Sequence, residues 1–219
     1  MKKVVLLDFD GVILDSVPIK DQAFLNLFSD HSVEVQENAR RFWASTRGMD
    51  RSKRIQQGFW ECSNIKHTGS DLTSILRRYQ IDIERSLISA PWIQGAIEFL
   101  SASQKHHIFV VSAAPQIEIR NIVVTRGIDH YIDSVFGGPS SKISNIKTIL
   151  AKLNKEPEQA IFVGDMLSDL EVAAALLIPF VGVVKEGTSS PFPPEVKLVS
   201  DLRHLSFFLN GESLVSPKT

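Results

Sequence analysis

The residues in this sequence whose types and spacing could do chemistry begin with Asp8 and Asp10, two aspartates that are separated by one residue and followed by Gly11. Side chains at positions i and i+2 of an extended segment point the same way, so both carboxylates would lie near one small site. A divalent cation such as Mg²⁺ would relieve their mutual repulsion, because carboxylate oxygens are hard ligands. An isolated pair of this kind is more often a solvated junction between a strand and a loop. Evidence for a metal site must therefore come from the rest of the chain.

Further polar residues follow other apolar runs of the chain. Ser112 ends one run, Lys142 follows a short one, and Asp165 and Asp169 follow a third. Each of these residues alone has a simpler explanation, as a helix cap or a solvated side chain. Together they supply a nucleophile, a proton donor, a hydroxyl and an ammonium for phosphoryl oxygens, and carboxylates for a cation. The agreement among four separate segments favours chemistry on a phosphate group.

The elements that must position these residues are short apolar strands. The run from Val4 to Leu7 is typical of a strand that is buried on both faces of a parallel sheet. Later strands are predicted at 107–112, 134–136, 160–163, 179–184 and 197–199, and helices at 95–105, 115–126, 142–153, 167–177 and 201–209. This alternation predicts an α/β fold with right-handed crossovers. Ligands of such folds bind beyond the carboxyl ends of the strands, where the two aspartates lie.

A run of helices without any strand signal interrupts this pattern after the first strand. Helical periodicity is present at 18–28, 33–43, 55–60 and 72–83. We interpret residues 16–90 as a separate small α-helical cap domain, and residues 1–15 with 91–219 as the core domain. The last residues, 211–219, are predicted to form a tail.

Composition limits the partners and the compartment. Lys and Arg number 24 against 25 Asp and Glu, so no overall field attracts nucleic acid or an anionic membrane. The single cysteine, Cys62, fits a reducing cytoplasm, and the chain starts without the apolar region of a signal peptide. The longest apolar stretch, 173–184, is shorter than the roughly 20 residues of a membrane-spanning helix. We therefore expect a cytoplasmic protein, a monomer or weak dimer, with neither nucleic acid nor membrane as a partner.

The motifs around these residues resemble those of the haloacid dehalogenase superfamily. The segments are DFDGVILDS, VVSAA, GGPSSK and GDMLSD, in that order, and the resemblance covers nearly the whole chain. The inserted helices are similar to the cap of the phosphoglycolate-phosphatase and β-phosphoglucomutase-like members. The resemblance implies a Rossmann-like parallel-sheet core, Mg²⁺ as cofactor, a small-molecule phosphate ester as substrate and an aspartyl-phosphate intermediate.

The resemblance also implies roles for individual residues. It assigns the nucleophile to Asp8 and the acid/base to Asp10. It assigns phosphate binding to Ser112, Ala113 and Lys142, metal binding to Asp8, Asp165, Asp169 and the backbone carbonyl of Asp10, and substrate specificity in the cap to Arg47, Gly48 and Arg51. Two features depart from the family pattern: Ala113 and Ala114 follow Ser112, leaving only backbone amides there, and the cap segment 46–54 is unusually basic.

Three alternative functions remain beside a magnesium-dependent phosphatase. Hydrolysis of a carbon–halogen bond uses the same nucleophile, but Asp10 argues against it, because a halide leaving group needs no proton. A β-phosphoglucomutase-like sugar-phosphate mutase would return the phosphoryl group to the substrate, and only an assay separates the two. A non-enzymatic receiver-like module also combines aspartates, a hydroxyl and a lysine, but such modules lack an inserted helical cap.

Overall fold

The computed structural model describes residues 2–46 and 49–210. The chain divides into two compact units, residues 1–15 with 91–219 and residues 16–90. That the second unit works as a cap domain stays a prediction. No helix among the described residues is both long enough and apolar enough to cross a membrane.

The first unit is built on a six-stranded parallel sheet. Its strands are β1 (Val4–Leu7), β2 (His107–Pro115), β3 (Ser134–Gly138), β4 (Ala160–Gly164), β5 (Phe180–Val183) and β6 (Leu198–Val199). They are arranged in the order β3-β2-β1-β4-β5-β6, so the direction of winding changes between β1 and β4. The predicted Rossmann-like α/β fold is thereby confirmed, and this change of direction marks the place where such sheets bind ligands.

The register of the sheet brings three strand ends to the same level. Leu7, the last residue of β1, pairs with Val110 of β2 on one side and with Val163 of β4 on the other. The residues that follow β1 and β4 therefore emerge side by side. β2 continues to Pro115, three residues beyond its predicted end, and its pairing with β3 is irregular between Val111 and Pro115. Ser112 consequently lies within the strand.

Helices of the first unit cover the sheet. They are α5 (Ala96–Ala102), α6 (Gln116–Thr125), α7 (Lys142–Leu153), α8 (Leu167–Ala175) and α9 (Leu205–Asn210), numbered after four helices of the second unit. Val4 and Leu6 of β1 join the buried core formed by Ile146 and Ile149 of α7 and by Phe162 of β4. The predicted last helix, 201–209, is instead a short 3₁₀ turn at Leu202–His204 followed by α9.

The second unit consists of α1 (Val17–Asn26), α2 (Val33–Ser45), α3 (Arg51–Ser63) and α4 (Gly69–Leu87). Stacked aromatic rings form its core: the ring centroids of Phe24 and Trp43 are 4.0 Å apart, and those of Phe28 and Phe59 are 4.4 Å apart. α3 is longer than its apolar periodicity predicts, because the Asp50 side chain caps it by accepting a hydrogen bond from the Lys53 amide (3.1 Å).

Candidate active site

Asp8 lies immediately beyond β1, and its carboxylate is held in a defined position. The Asp8 amide donates to the carbonyl oxygen of Val163 at 2.9 Å, which continues the ladder between β1 and β4 by one residue. Its Oδ1 accepts a hydrogen bond from the Phe9 amide at 2.7 Å. Only 6% of the residue is exposed. A buried carboxylate fixed in this way leaves few rotamers available, as a nucleophile requires.

Lys142 brings a cation to Asp8 from the start of α7. The Ser141 side chain caps this helix by accepting from the Ser144 amide at 3.2 Å, which fixes Lys142 as the first helical residue. The Lys142 Nζ lies 3.0 Å from Asp8 Oδ2 and 2.5 Å from Asp169 Oδ1. The ammonium therefore bridges two carboxylates, one directly after β1 and one in the first turn of α8.

Asp169 is fully buried and uses both carboxylate oxygens. Oδ1 accepts from Lys142, and Oδ2 accepts from the Met166 amide at 3.2 Å, which satisfies an otherwise unpaired donor at the start of α8. Gly164 makes this arrangement possible, since a Cβ at Gly164 would collide with the Asp169 side chain. Asp169 is thus a partner of Lys142 as well as a candidate metal ligand.

Carboxylate oxygens of Asp8, Asp165 and Asp169 form a compact group. One oxygen from each lies within 4.8 Å of the others. Gly11, with φ of +75°, passes so close that a Cβ there would overlap the Asp165 carboxylate. Three carboxylates face one ammonium in this cluster, and hard oxygen donors of this kind suit Mg²⁺. The donor set therefore fits the predicted cation.

The protonation behaviour of the cluster reflects its excess of negative charge. Burial, together with the charges of Asp169 and Asp10, raises the pKa of Asp8 to about 7, although Lys142 opposes the shift. Burial and the neighbouring aspartates raise the pKa of Asp165 to about 8. Burial alone would lower the pKa of Lys142, but the carboxylates of Asp8 and Asp169 raise it above its ordinary value. A bound cation would favour the ionised carboxylates.

Ser112 is buried at the carboxyl-terminal part of β2, next to β1 in the sheet. Its Oγ accepts a hydrogen bond from the Ala114 amide at 3.1 Å. The residue is 1% exposed, whereas Ala113 is exposed. The hydroxyl hydrogen of Ser112 can still donate, and the assignment of phosphate binding to Ser112 and to the backbone of Ala113 stays a prediction.

A family model described as haloacid dehalogenase-like hydrolase matches residues 5–183, which include all four of the strand ends considered above. The chain belongs to the haloacid dehalogenase-like hydrolase family. The predicted membership is confirmed.

Solved structures with the same fold extend over nearly all of this hydrolase. A predicted phosphoglycolate phosphatase from Haemophilus somnus has a TM-score of 0.77 at 21% identity, covering 95% of this chain and 98% of its own. The hydrolase YfnB from Bacillus subtilis, bound to magnesium, has a TM-score of 0.71 at 15% identity, covering 95% and 99%. CbbY from Rhodobacter sphaeroides, in complex with xylulose-1,5-bisphosphate, has a TM-score of 0.74 at 15% identity, covering 94% and 96%. No curated protein sequence matches the chain.

Asp10 of this hydrolase lies in the loop after β1. It forms an isolated bridge with Leu14, and the Gly11 amide donates to the Leu14 carbonyl at 2.8 Å, so the loop closes on itself. The Asp10 carboxylate is not a member of the group formed by Asp8, Asp165 and Asp169. Its roles as acid/base and, through the backbone carbonyl, as a metal ligand stay predictions.

Of the three residues that the resemblance assigns to substrate specificity, only Arg51 lies among the described residues. Arg47 and Gly48, which were assigned to substrate specificity, lie outside the described residues. Arg51 is the first residue of α3, and its guanidinium carbon lies 5.4 Å from the Tyr79 ring centroid. Arg51 is therefore part of a helix.

Arg54 has a structural role in the second unit of the hydrolase that the sequence does not reveal. Its guanidinium carbon lies 3.3 Å from the Trp43 ring centroid, and the group donates to the Trp43 carbonyl and, at 3.0 Å, to Thr46 Oγ1. A solvated helix start is the usual explanation for a run of basic residues. Arg54 does not fit this explanation, because only 9% of the residue is exposed.

Proposed function

We propose that this hydrolase is a Mg²⁺-dependent phosphatase that cleaves a small phosphorylated metabolite through an aspartyl phosphate on Asp8. The observation that carries the proposal is the position of the Asp8 carboxylate, which is buried beyond β1 between the ammonium of Lys142 and the carboxylates of Asp165 and Asp169. A nucleophile, a counter-charge and a cation site thus meet within one small region.

The proposed cation is Mg²⁺, held by Asp8, Asp165 and Asp169 together with the backbone carbonyl of Asp10. When bound, it would polarise the phosphoryl oxygens and neutralise charge that develops on them. The proposal is supported by the closeness of the carboxylate oxygens and by the raised pKa values of Asp8 and Asp165. It is also supported by the magnesium bound to YfnB, which shares the fold.

The chain's own residues divide the reaction into two displacements. The Asp8 carboxylate attacks phosphorus and breaks the bond to the leaving oxygen, to which Asp10 gives a proton. Asp10 then accepts a proton from water, whose oxygen attacks the phosphorus of the mixed anhydride. Inorganic phosphate leaves and the Asp8 carboxylate is restored. Lys142, the Ser112 hydroxyl and the Ala113 amide hold the phosphoryl oxygens during both steps.

The substrate class is proposed from the family and from its relatives. One relative is a predicted phosphoglycolate phosphatase, and another binds xylulose-1,5-bisphosphate. Both names describe small anionic phosphate esters. We infer a substrate of this class, and we propose that Arg47, Gly48 and Arg51 take part in selecting it through its second anionic group.

A sugar-phosphate mutase remains the second candidate. It would use Asp8 and Asp10 in the same first displacement and differ only in the acceptor of the phosphoryl group. The receiver-like module is set aside, because the chain belongs to a family of hydrolases. The same assay separates the two enzymatic candidates: a phosphatase releases inorganic phosphate in proportion to turnover, whereas a mutase gives an isomeric ester.

The proposal is tested by a panel of phosphorylated metabolites assayed with Mg²⁺ and with excess chelator. We expect phosphate release from at least one small anionic ester in Mg²⁺ and loss of release in chelator. Asp8→Asn should release phosphate at less than about 1% of the wild-type rate, because no nucleophile remains. Its circular dichroism should be unchanged. Full activity in chelator, or a retained rate in freshly prepared Asp8→Asn, would contradict the proposal.

A further inference from the structure

Gly137, near the end of β3, is held by side-chain amides from two helices. Its N–H donates to Oε1 of Gln116, the first residue of α6, at 3.2 Å. Its carbonyl oxygen accepts from Nδ2 of Asn145, in the first turn of α7, at 3.3 Å. Both polar groups of the Gly137 backbone are therefore bonded by side chains, and we call Gln116 and Asn145 the Gly137 clamp.

The missing side chain of Gly137 brings this strand end against the segment that follows Ser112. A Cβ at Gly137 would lie 2.6 Å from the Ala114 carbonyl oxygen and 2.8 Å from the Gln116 amide nitrogen. Both distances are shorter than van der Waals contact, so only glycine lets the two backbones approach this closely. The segment that carries the phosphate ligands proposed on β2 is therefore packed against the strand end that leads to α7.

The clamp also holds the short link between β3 and the ammonium of Lys142. Only residues 139–141 separate the strand from Lys142, the first residue of α7. The Asn145 amide that bonds to Gly137 before the link also bonds to the Ser140 carbonyl oxygen within it, at 3.4 Å. Asn145 is 6% exposed, so water has little access to replace these bonds. The backbone that presents Lys142 thus depends on a buried side-chain amide.

We propose that Gln116 and Asn145 are positioning residues for the phosphate-binding groups of the site, an inference that rests on the proposed function. They fix the strand end on which both the Lys142 ammonium and the Ala113 amide depend. Ala113 and Ala114 offer only backbone amides to a phosphoryl group. Such donors stabilise developing charge only when they are held in place beforehand, and the clamp holds them.

The position of the Lys142 ammonium can be observed without any substrate. In ¹H–¹⁵N spectra of metal-free protein labelled with ¹⁵N-lysine, its signal is identified by its loss in Lys142→Met. We expect Gln116→Met, which removes the acceptor, and Asn145→Leu, which removes the donor, to shift this signal. Its exchange with water should become about fivefold faster, as for the loss of one hydrogen bond. Gln116→Glu keeps an acceptor oxygen and should restore the wild-type signal.

Phosphate release should follow the same order. We expect kcat/KM for p-nitrophenyl phosphate to fall about tenfold in Gln116→Met and Asn145→Leu, and to recover to within about twofold in Gln116→Glu. Ile149→Val, one turn further along α7, removes one methylene group from a buried side chain and is the control for lost stability. It should change neither the ammonium signal nor kcat/KM.

Failure of the proposed function and failure of the clamp give different results. If the wild-type protein releases no phosphate, the proposed function fails, and the ammonium signal still tests the clamp. An unchanged Lys142 signal in both Gln116→Met and Asn145→Leu, or an equal change in Ile149→Val, would overturn the clamp. The same losses in Gln116→Glu as in Gln116→Met would also overturn it, because the acceptor would then have no effect.

Discussion

Lys142 holds two buried carboxylates of the candidate site together. Its ammonium lies between Asp8 and Asp169, two carboxylates with 8% and 0% side-chain exposure. Separating either buried carboxylate from its cation would leave an uncompensated charge, which is costly in a medium of low polarity. Lys142 is thus a proposed phosphate ligand, and it also stabilises the folded site by compensating the charge of the two carboxylates.

Replacing Lys142 by methionine should therefore affect both stability and activity. We expect Lys142→Met to lower the free energy of unfolding by about 3 kcal/mol in chelator, as is usual when one partner of a buried ion pair is removed. Phosphate release should fall below detection. Urea denaturation and the phosphatase assay check the two effects, with the exposed Lys152→Met on the same helix as control. Equal unfolding free energies for the two variants would show that the buried pair contributes nothing.

The loop after β1 packs closely against Asp165, just before the start of α8. Gly11 has φ of +75°, and a side chain there would overlap Asp165. Gly127, with φ of +67° after α6, has the same backbone conformation but open space around it. A side chain at Gly127 would cause backbone strain only. A side chain at Gly11 would cause the same strain and would also displace Asp165, a proposed metal ligand.

Alanine at these two glycines should give different results. Both Gly11→Ala and Gly127→Ala should lose about 1–2 kcal/mol of stability through left-handed strain. Only Gly11→Ala should also raise the Mg²⁺ concentration needed for half-maximal activity, by at least about tenfold, because Asp165 must move. Mg²⁺ titrations of initial rates measure this effect. Unchanged Mg²⁺ dependence in Gly11→Ala would contradict the assignment of Asp165 as a ligand.

The segment before α3 carries the prediction about substrate selection. If Arg47 binds a second anionic group of the substrate, Arg47→Ala should lower kcat/KM for that substrate by about 10–100-fold, as expected for a charged hydrogen bond. Hydrolysis of p-nitrophenyl phosphate, which has no second anion, should change far less. Lys53→Ala, an exposed lysine in the first turn of α3, is the control. Equal losses on both substrates would assign Arg47 to the folding or closure of the cap.

Local sequence patterns predict the elements of this chain better than its long-range side-chain contacts. The bounds of β1 and α7 follow from apolar periodicity and caps, and the structure places them where the sequence predicts. The grouping of Asp8, Lys142 and Asp169 was expected from the meeting of strand ends. The bridging of two carboxylates by Lys142 could not be predicted, since it depends on side-chain reach across α7 and α8. The burial of Arg54 under Trp43 likewise depends on helix packing.

The acidic cluster links the stability of the protein to pH. Asp8 and Asp165 have folded-state pKa values of about 7 and about 8, above the ordinary value of 3.8. The folded chain therefore retains protons that the unfolded chain releases. The stability that comes from these groups is fully present below pH 3.8 and is lost as the pH rises through about 7 and 8.

We accordingly expect the metal-free protein to become less stable as the pH rises from about 5 to about 9. Mg²⁺ should stabilise the protein more as the pH rises, because it binds the ionised carboxylates. Urea denaturation with Mg²⁺ or chelator at several pH values measures both trends. In Asp165→Asn, both the loss of metal-free stability with rising pH and the gain in stabilisation by Mg²⁺ should be smaller. A metal-free stability that rises over this range would contradict the protonation behaviour assigned to the cluster.

The covalent intermediate on Asp8 is the centre of the proposed function, and it can be observed directly. p-Nitrophenolate needs no proton to leave, so in Asp10→Asn the first displacement should proceed while water attack is slowed for lack of a base. Mixing this variant with p-nitrophenyl phosphate and Mg²⁺, quenching in acid and mapping peptides by mass spectrometry should show a burst of one nitrophenolate per chain. The same sample should carry one hydroxylamine-labile phosphoryl group on Asp8. A phosphoryl group on another residue, or continued turnover of Asp8→Asn with no phosphorylated peptide, would contradict the account.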